Sequence, residues 1–575
     1  MKRYWKYIRP YIQYYILGPC FMMMEVVGDV LLPYMLAKII NQGIAERNVV
    51  YIIKIGVIMG FIAVIMAVGG VLGAWFASKA AMNFGADLRM DLFEKIQQFS
   101  FQNIDNFSTG SLITRLTNDI TQIQNMIMMT LRMCLRSPGI LIGAMVMAFV
   151  ISPKLAAIFI IVLPVLAVLI VVIMRRAFPQ FRTLQEKLDA LNSCIQEGLV
   201  GIRLIKSFVR GDYEEMRFEK RNQQLKEANL TAMKTMLLYT PLMTLALNIT
   251  TVVVVWSGGN MIVAGNMQVG DLTAFTNYIV QIMSSLTMLS IAFLNWARAI
   301  ASFRRVGEVL DEKIDLTDEN AKHKDRAVCE GSVEFQNVSF RYYKNSPEWV
   351  IENISFKLEA GKTLGIIGST GSGKSTLVSM IPRLYDTDEG TVLVDGINVR
   401  DYGLKPLREG IGMVLQNNTL FSGSITENLK WGDEHADEKA VRKAAQNAQA
   451  AGFIDSFKDG YRTRLEQSGN NVSGGQKQRL CIARALLKCQ KILILDDSTS
   501  AVDTATERAI REALHSEYKD MTKIIIAQRI RSVMDADEIL VLDNGKTAGF
   551  GTHEQLLADC PVYREIYDVQ NGREE

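Results

Sequence analysis

Leu364-Gly365-Ile366-Ile367-Gly368-Ser369-Thr370-Gly371-Ser372-Gly373-Lys374-Ser375-Thr376 is the stretch from which the fold can be read. Residues 368–375 fit G-x-x-x-x-G-K-[ST], a phosphate-binding loop. The apolar run 364–367 reads as the strand before it and 376–385 as the helix after it, which is the context the motif requires. The glycines let backbone N–H groups turn inward around a phosphate, and the helix N-terminus adds its dipole. Lys374 is placed to reach the β- and γ-phosphates of a nucleotide, and Ser375 to ligate Mg²⁺.

Downstream, Lys491-Ile492-Leu493-Ile494-Leu495-Asp496 reads as a second buried strand whose terminal carboxylate faces the phosphates. Asp496 is expected to hold Mg²⁺, mostly through water. Strand-like runs at 333–335, 363–367, 411–415, 492–495 and 523–527 alternate with helical stretches. That alternation marks an α/β domain with a largely parallel sheet, placed at 331–567. A charged linker without apolar periodicity precedes it at 311–330, and a tail follows at 568–575.

Upstream the chain is a different material. Residues 11–40, 51–78, 123–152, 155–174, 236–264 and 272–297 are apolar runs. Each reaches the ~20 residues that cross a ~30 Å hydrocarbon layer. The expectation is a six-span α-helical membrane domain over 1–310. Lys2, Arg3, Lys6 and Arg9, set among Tyr4, Trp5 and Tyr7, read as an interfacial amphipathic helix rather than a cleaved signal peptide. Connections after spans two and four are long and basic, and the others are short. The positive-inside bias therefore puts both termini in the cytoplasm. Segments 79–122 and 175–235 are polar but helix-prone, so spans two to five should continue as helices beyond the membrane. Their turns are expected near Ser108-Thr109-Gly110 and Arg210-Gly211-Asp212.

Composition excludes other classes. The chain has 575 residues, 49% apolar and 21% charged. Lys and Arg number 63 against 60 Asp and Glu, a net charge of +3, so nucleic acid is not an indicated partner. Cys20, Cys134, Cys194, Cys329, Cys481, Cys489 and Cys560 are odd in number and contain no C-x-x-C. A disulfide framework or zinc site is not expected.

Val472-Ser473-Gly474-Gly475-Gln476 makes the reading specific. It resembles the LSGGQ signature of ATP-binding cassette (ABC) proteins, with Val in first place. The whole chain, to about residue 567, resembles one half of an ABC exporter: six spans plus an α/β P-loop nucleotide-binding domain of ABC type. The resemblance implies ATP and Mg²⁺ as cofactors. Gly368, Ser369, Thr370, Gly371, Ser372, Gly373, Lys374, Ser375 and Thr376 would cradle ATP, and Tyr342 would stack on adenine. Ser375, Gln416 and Asp496 would serve Mg²⁺. The segment from Ser500 to Asp503 would be the D-loop, and a helical subdomain would occupy roughly 417–480. Ser108–Ile113 and Gly211–Arg217 would hold the coupling helices. Ser473, Gly474, Gly475 and Gln476 would face the ATP held by a second chain, because the family's signature completes the opposite domain's site.

Two departures from the family's pattern bear on that second chain. The residue after Asp496 is usually Glu, the base for the attacking water, and here it is Asp497. The switch position usually holds His, and here it is Gln528. Asp is one methylene shorter, about 1.5 Å. Gln can hydrogen-bond a phosphate but cannot carry a proton's charge. The resemblance is therefore to the degenerate-site subunit of bacterial heterodimeric multidrug exporters, with a partner half that supplies Glu and His. Residues 466–469, Glu-Gln-Ser-Gly, also depart from the family's Gly-Glu-x-Gly.

The implied cargo is a hydrophobic or amphipathic small molecule moved across the bacterial cytoplasmic membrane. A lipid or peptide exporter and a siderophore-type importer on the exporter fold are the alternatives, and a peptidase-containing peptide exporter is not expected. Glu25 and Asp29 lie four apart on one face of the first span. They either face a water-filled cavity or pair with Arg132 or Arg136.

Overall fold

The computed structural model describes residues 2–344, 346–488 and 490–571, with backbone alone at 2, 290, 291, 293–295, 297, 298 and 571. Cys489 and residues 572–575 of the tail lie outside the described residues. The chain forms two compact units: Met1–Gln97 with Gly110–Asp311, and Gln98–Thr109 with Glu312–Glu575.

The first unit is helical. Trp5–Ile44, Val49–Gln97, Thr109–Ile151, Pro153–Val200 and Gly211–Val263 are long and apolar enough to cross a membrane. The sixth expected span falls within the 43-residue helix Val269–Asp311. Among the described residues, five helices rather than six meet the criterion. Val49–Gln97 has 49 residues, about 73 Å of helix against a ~30 Å hydrocarbon layer. Val57, Phe61, Val64, Val68 and Val71 recur on it at helical spacing and are all exposed. Such a stripe suits acyl chains rather than water. Gly18, Gly28, Gly69 and Gly73 bring this helix close against Ile12–Lys38, as small residues do at membrane helix seams.

The chain turns at 106–108 and 208–210, beside the expected positions, but the coupling segments sit earlier than the sequence indicated. The short helices are Phe101–Asp105 and Ile202–Ser207, not the stretches beginning at Ser108 and Gly211. Ser100 caps the first, with a reciprocal bond from Asn103. Residues 109–114 and 211–237 already belong to the following helices.

The second unit carries the strands β1 (Val333–Phe340), β2 (Ile351–Leu358), β3 (Thr363–Gly368), β4 (Glu389–Val394), β5 (Ile397–Asn398), β6 (Ile411–Val414), β7 (Gly423–Ser424), β8 (Arg464–Leu465), β9 (Ile492–Asp496), β10 (Thr522–Ile526), β11 (Glu538–Asp543) and β12 (Lys546–Gly551). The main sheet runs β12-β11-β3-β10-β9-β6. It is parallel except for the β11–β12 pair. All five residues of β9 are buried, as a strand covered on both faces requires. A separate sheet, β2-β1-β4-β5, is antiparallel. The run 333–335 belongs there and not to the parallel sheet, because no crossover helix separates β1 from β2.

The charged segment 312–332 has neither helix nor strand yet is fixed to this unit. The amides of Cys329, Glu330, Gly331 and Ser332 all donate to the Asp395 carboxylate at 2.7–3.1 Å. The outer turn 98–109 is part of the same unit. Asp105 accepts from the Tyr385 hydroxyl at 3.0 Å, and Asn103 donates to the Lys313 carbonyl at 2.9 Å.

Candidate functional site

β3 ends at Gly368, and after the loop 369–373 the helix Lys374–Ser379 begins, two residues earlier than the sequence indicated and shorter. Gly371 and Gly373 between them take φ of +86° and +88°, the left-handed region that side chains avoid. The loop encloses a cavity of about 200 Å³. Thr370, Gly371, Gly373, Lys374, Ser375 and Thr376 line it from the loop side. Gln416, Asp496, Asp497 and Gln528 face them from the ends of β6, β9 and β10. Residues scattered over 160 positions thus meet because parallel strands bring their C-terminal ends to one edge.

Ser375 Oγ donates to Asp496 Oδ1 at 2.9 Å. Lys374 Nζ is folded onto the loop, donating to the carbonyls of Gly368 (2.8 Å) and Ser369 (2.7 Å). Burial lowers the Lys374 pKa, against the pull of Asp497 and Asp496. Burial also raises Asp496, opposed by the Ser375 bond. Asp497 takes φ +47° and is almost wholly buried. Its Oδ2 accepts from Gln528 Nε2 at 2.8 Å. Burial raises its pKa, and the amides of Gln528 and Gln416 pull it back. The two departures from the family pattern are thus in direct contact.

Ser369 and Ser372 form the loop's outer turn, their backbones joined at 3.2 Å. Tyr342 stands beyond β1, with its hydroxyl 2.8 Å from Thr376 Oγ1 and its ring edge-on to Phe340 and Tyr385. Ser473 caps the helix Gly474–Leu487 with a reciprocal bond from Gln476. Ser473, Gly474, Gly475 and Gln476 do not line the cavity around Lys374. Gln478, which the sequence reading missed, joins the signature helix to the D-loop. Its Oε1 accepts from Ala501 N at 3.0 Å, and its Nε2 donates to Ser500 at 3.3 Å. The signal for it was its place one turn inside that helix, on the face that is buried.

Glu25 and Asp29 resolve toward pairing. Arg136 Nη2 lies 2.9 Å from Glu25 Oε1 and 3.2 Å from Asp29 Oδ2. A cavity of about 210 Å³ touches Glu25, Arg132 and Arg136 but not Asp29. Arg136→Ala is expected to destabilise the full chain by about 1–3 kcal/mol, because it leaves two half-buried carboxylates unpaired. Thermal denaturation in detergent measures this. Adding Glu25→Gln and Asp29→Asn should recover most of the loss; an unchanged midpoint for Arg136→Ala alone would refute the pairing.

A phosphate loop, a carboxylate-ended strand and a signature turn on one chain with membrane-length helices define a nucleotide-dependent membrane protein. Residues 15–286 match the family described as the ABC transporter transmembrane region, and residues 351–500 the one described as ABC transporter. The chain is 39% identical over 574 residues to the uncharacterized ABC transporter ATP-binding protein YfiB of Bacillus subtilis (strain 168), covering 100% of this chain and 99% of that protein. It is 33% identical over 527 residues to the ATP-dependent lipid A-core flippase of Pseudomonas aeruginosa, covering 91% and 85%. The solved structure of a bacterial Atm1-family ABC exporter with ATP bound shares the fold, with a TM-score of 0.81 at 24% identity over 98% of each chain. The chain belongs to the ABC transporter family.

Proposed function

We propose that this chain is one half of a heterodimeric ABC exporter. It would use ATP to move hydrophobic or amphipathic compounds out across the bacterial cytoplasmic membrane. Its own phosphate loop would bind ATP and hydrolyse it slowly. The observation that carries this reading is the Asp497–Gln528 contact at 2.8 Å. The short carboxylate is held by an amide that cannot titrate, so the site has a binding cradle without a well-placed base and acid. The partner would contribute Glu and His at its own loop, facing Ser473–Gln476 of this chain.

Further features support the proposal. Ser473 and Gly474 are exposed and lie away from this chain's own cavity. Around the second outer turn, Val200, Leu204, Phe208 and Val209 are 62–88% exposed. That apolar cap on a polar hairpin suits cover by a protein surface such as another chain's. Basic connections favour both termini in the cytoplasm, and Val269–Asp311 would serve as the sixth span. The flippase relative favours an amphipathic, lipid-like cargo.

Ser375 Oγ and Asp496 Oδ1 converge at 2.9 Å with Gln416 lining the same cavity. Among the described residues there is no cluster of three His, Cys, Asp or Glu. A few hard oxygens suit Mg²⁺, which keeps waters and phosphate oxygens in its shell. When bound, it would neutralise charge on the phosphates.

The test is nucleotide retention. The co-assembled pair is incubated with radiolabelled 8-azido-ATP under turnover, crosslinked and resolved by chain. This chain should carry the triphosphate and its partner the diphosphate. Diphosphate on both chains alike would overturn the proposal.

A further inference from the structure

The exposed apolar stripe on the helix Val49–Gln97 ends in a cation. Val57, Phe61, Val64, Val68, Val71 and Trp75 follow one another at steps of three or four, and each is at least 50% exposed. Lys79 stands one turn further on the same face and is exposed too. From Val57 to Lys79 the helix rises about 33 Å, close to a hydrocarbon layer of ~30 Å.

Rings rather than a carboxylate hold Lys79. Its Nζ lies 4.8 Å from the centre of the Trp75 ring and 5.2 Å from that of Tyr14, which is on the helix Ile12–Lys38. Tyr14 in turn stacks on Phe76 at 5.9 Å. Residues 1–24 and 47–86 contain no Asp or Glu. Asp87, the first carboxylate beyond, is two turns away and accepts from the Tyr11 hydroxyl at 3.4 Å.

Three donors therefore share one spot. The Lys79 ammonium, the Trp75 indole N–H and the Tyr14 hydroxyl have no hydrogen-bond or ion-pair partner among the described residues. They are not sealed in, since Lys79 and Trp75 are exposed and Tyr14 is half-buried. At the end of a membrane-length apolar stripe they lie at headgroup depth, where a phosphodiester supplies acceptors. The ammonium of a zwitterionic headgroup finds no carboxylate here, and Lys79 already occupies the ring faces that could hold it. A headgroup of net negative charge fits better.

We propose that Trp75, Lys79 and Tyr14 form a binding site for an anionic phospholipid of the surrounding bilayer. The phosphate would sit against Lys79, and an acyl chain would run along the stripe from Val71 to Val57. The site depends on this helix crossing the membrane and not on the pairing of two halves.

Brominated lipids test this. The full chain is placed in phosphatidylcholine nanodiscs carrying a small fraction of either phosphatidylglycerol or phosphatidylcholine brominated near the headgroup. The Trp75 signal is the difference in fluorescence between the chain and its Trp75→Phe variant. Brominated phosphatidylglycerol should quench that signal at about fivefold lower mole fraction than brominated phosphatidylcholine, the selectivity of one lysine at a membrane surface. Lys79→Gln should bring the two lipids level, and Lys79→Arg should keep the preference, with azido-ATP labelling of the phosphate loop as the check on folding. Free glycerol 3-phosphate should leave the quenching unchanged, which separates a lipid from a soluble phosphate. If Lys79→Gln loses labelling, the wild-type comparison and Lys79→Arg decide. Four results would overturn the proposal: equal quenching by both lipids, a preference that survives in folded Lys79→Gln, displacement by glycerol 3-phosphate, or a Trp75 that neither lipid quenches, as cover by another chain would produce.

Discussion

Gly475→Val is expected to lower ATP turnover of the assembled two-chain pump by at least about 10²-fold. A Cβ at residue 475 would stand 2.8 Å from the Ala501 carbonyl oxygen. That backbone cannot yield easily, because Ala501 N is tied to the buried Gln478 at 3.0 Å. The substitution would therefore move the start of the signature helix, whose first N–H groups and Ser473 are, in the proposed pairing, the donors for the partner's nucleotide. Losing one such preorganised donor costs roughly 10²–10³ in rate. Lys374→Ala should behave differently. It should abolish nucleotide labelling of this chain and reduce turnover far less, since the proposed pairing puts the faster site on the partner's loop. Steady-state hydrolysis together with azido-ATP labelling resolved by chain measures both. Equal losses of turnover for the two variants would contradict the asymmetry.

The second large effect is a gain. Asp497→Glu with Gln528→His is expected to raise hydrolysis at this chain's own loop by about 10²–10⁴-fold, the range spanned by positioning and general-base effects. Asp497 and Gln528 face one another across 2.8 Å, so the replacements act as a pair. Glu alone adds the missing methylene but stays opposite an amide. His alone meets a carboxylate set about 1.5 Å back. Neither single variant should give the full gain. Single-turnover hydrolysis, with the partner's phosphate-loop lysine replaced, isolates the site. A double variant no faster than the parent would show that Asp497 and Gln528 are not what slows it.

Much of this site was legible because phosphate chemistry dictates its local pattern. The run from Leu364 to Thr376 and the strand ending at Asp496 leave few alternatives. The Asp497 and Gln528 departures were visible as single letters; their mutual hydrogen bond was not, since 31 positions separate them. The short outer helices were placed too late in the chain. Gly110 and Gly211 instead sit in the first turns of the helices that follow. The better signals were the Ser100-x-x-Asn103 capping pair and Gly201, which caps Ile202–Ser207. The β1–β2–β4–β5 sheet went unseen because short apolar strands look alike whether their neighbours run parallel or antiparallel. Glu25 and Asp29 were ambiguous because a lone carboxylate in a span fits a cavity or a partner equally well. Only the third helix's position against the first decides for Arg136.

The most direct measurement compares ATP hydrolysis by this chain purified alone, in nanodiscs, with hydrolysis by the same chain assembled with a half that carries Glu and His. Near-background turnover is expected alone despite nucleotide binding, and at least about 10²-fold faster turnover in the pair. Rapid hydrolysis by the chain assembled only with itself would contradict it.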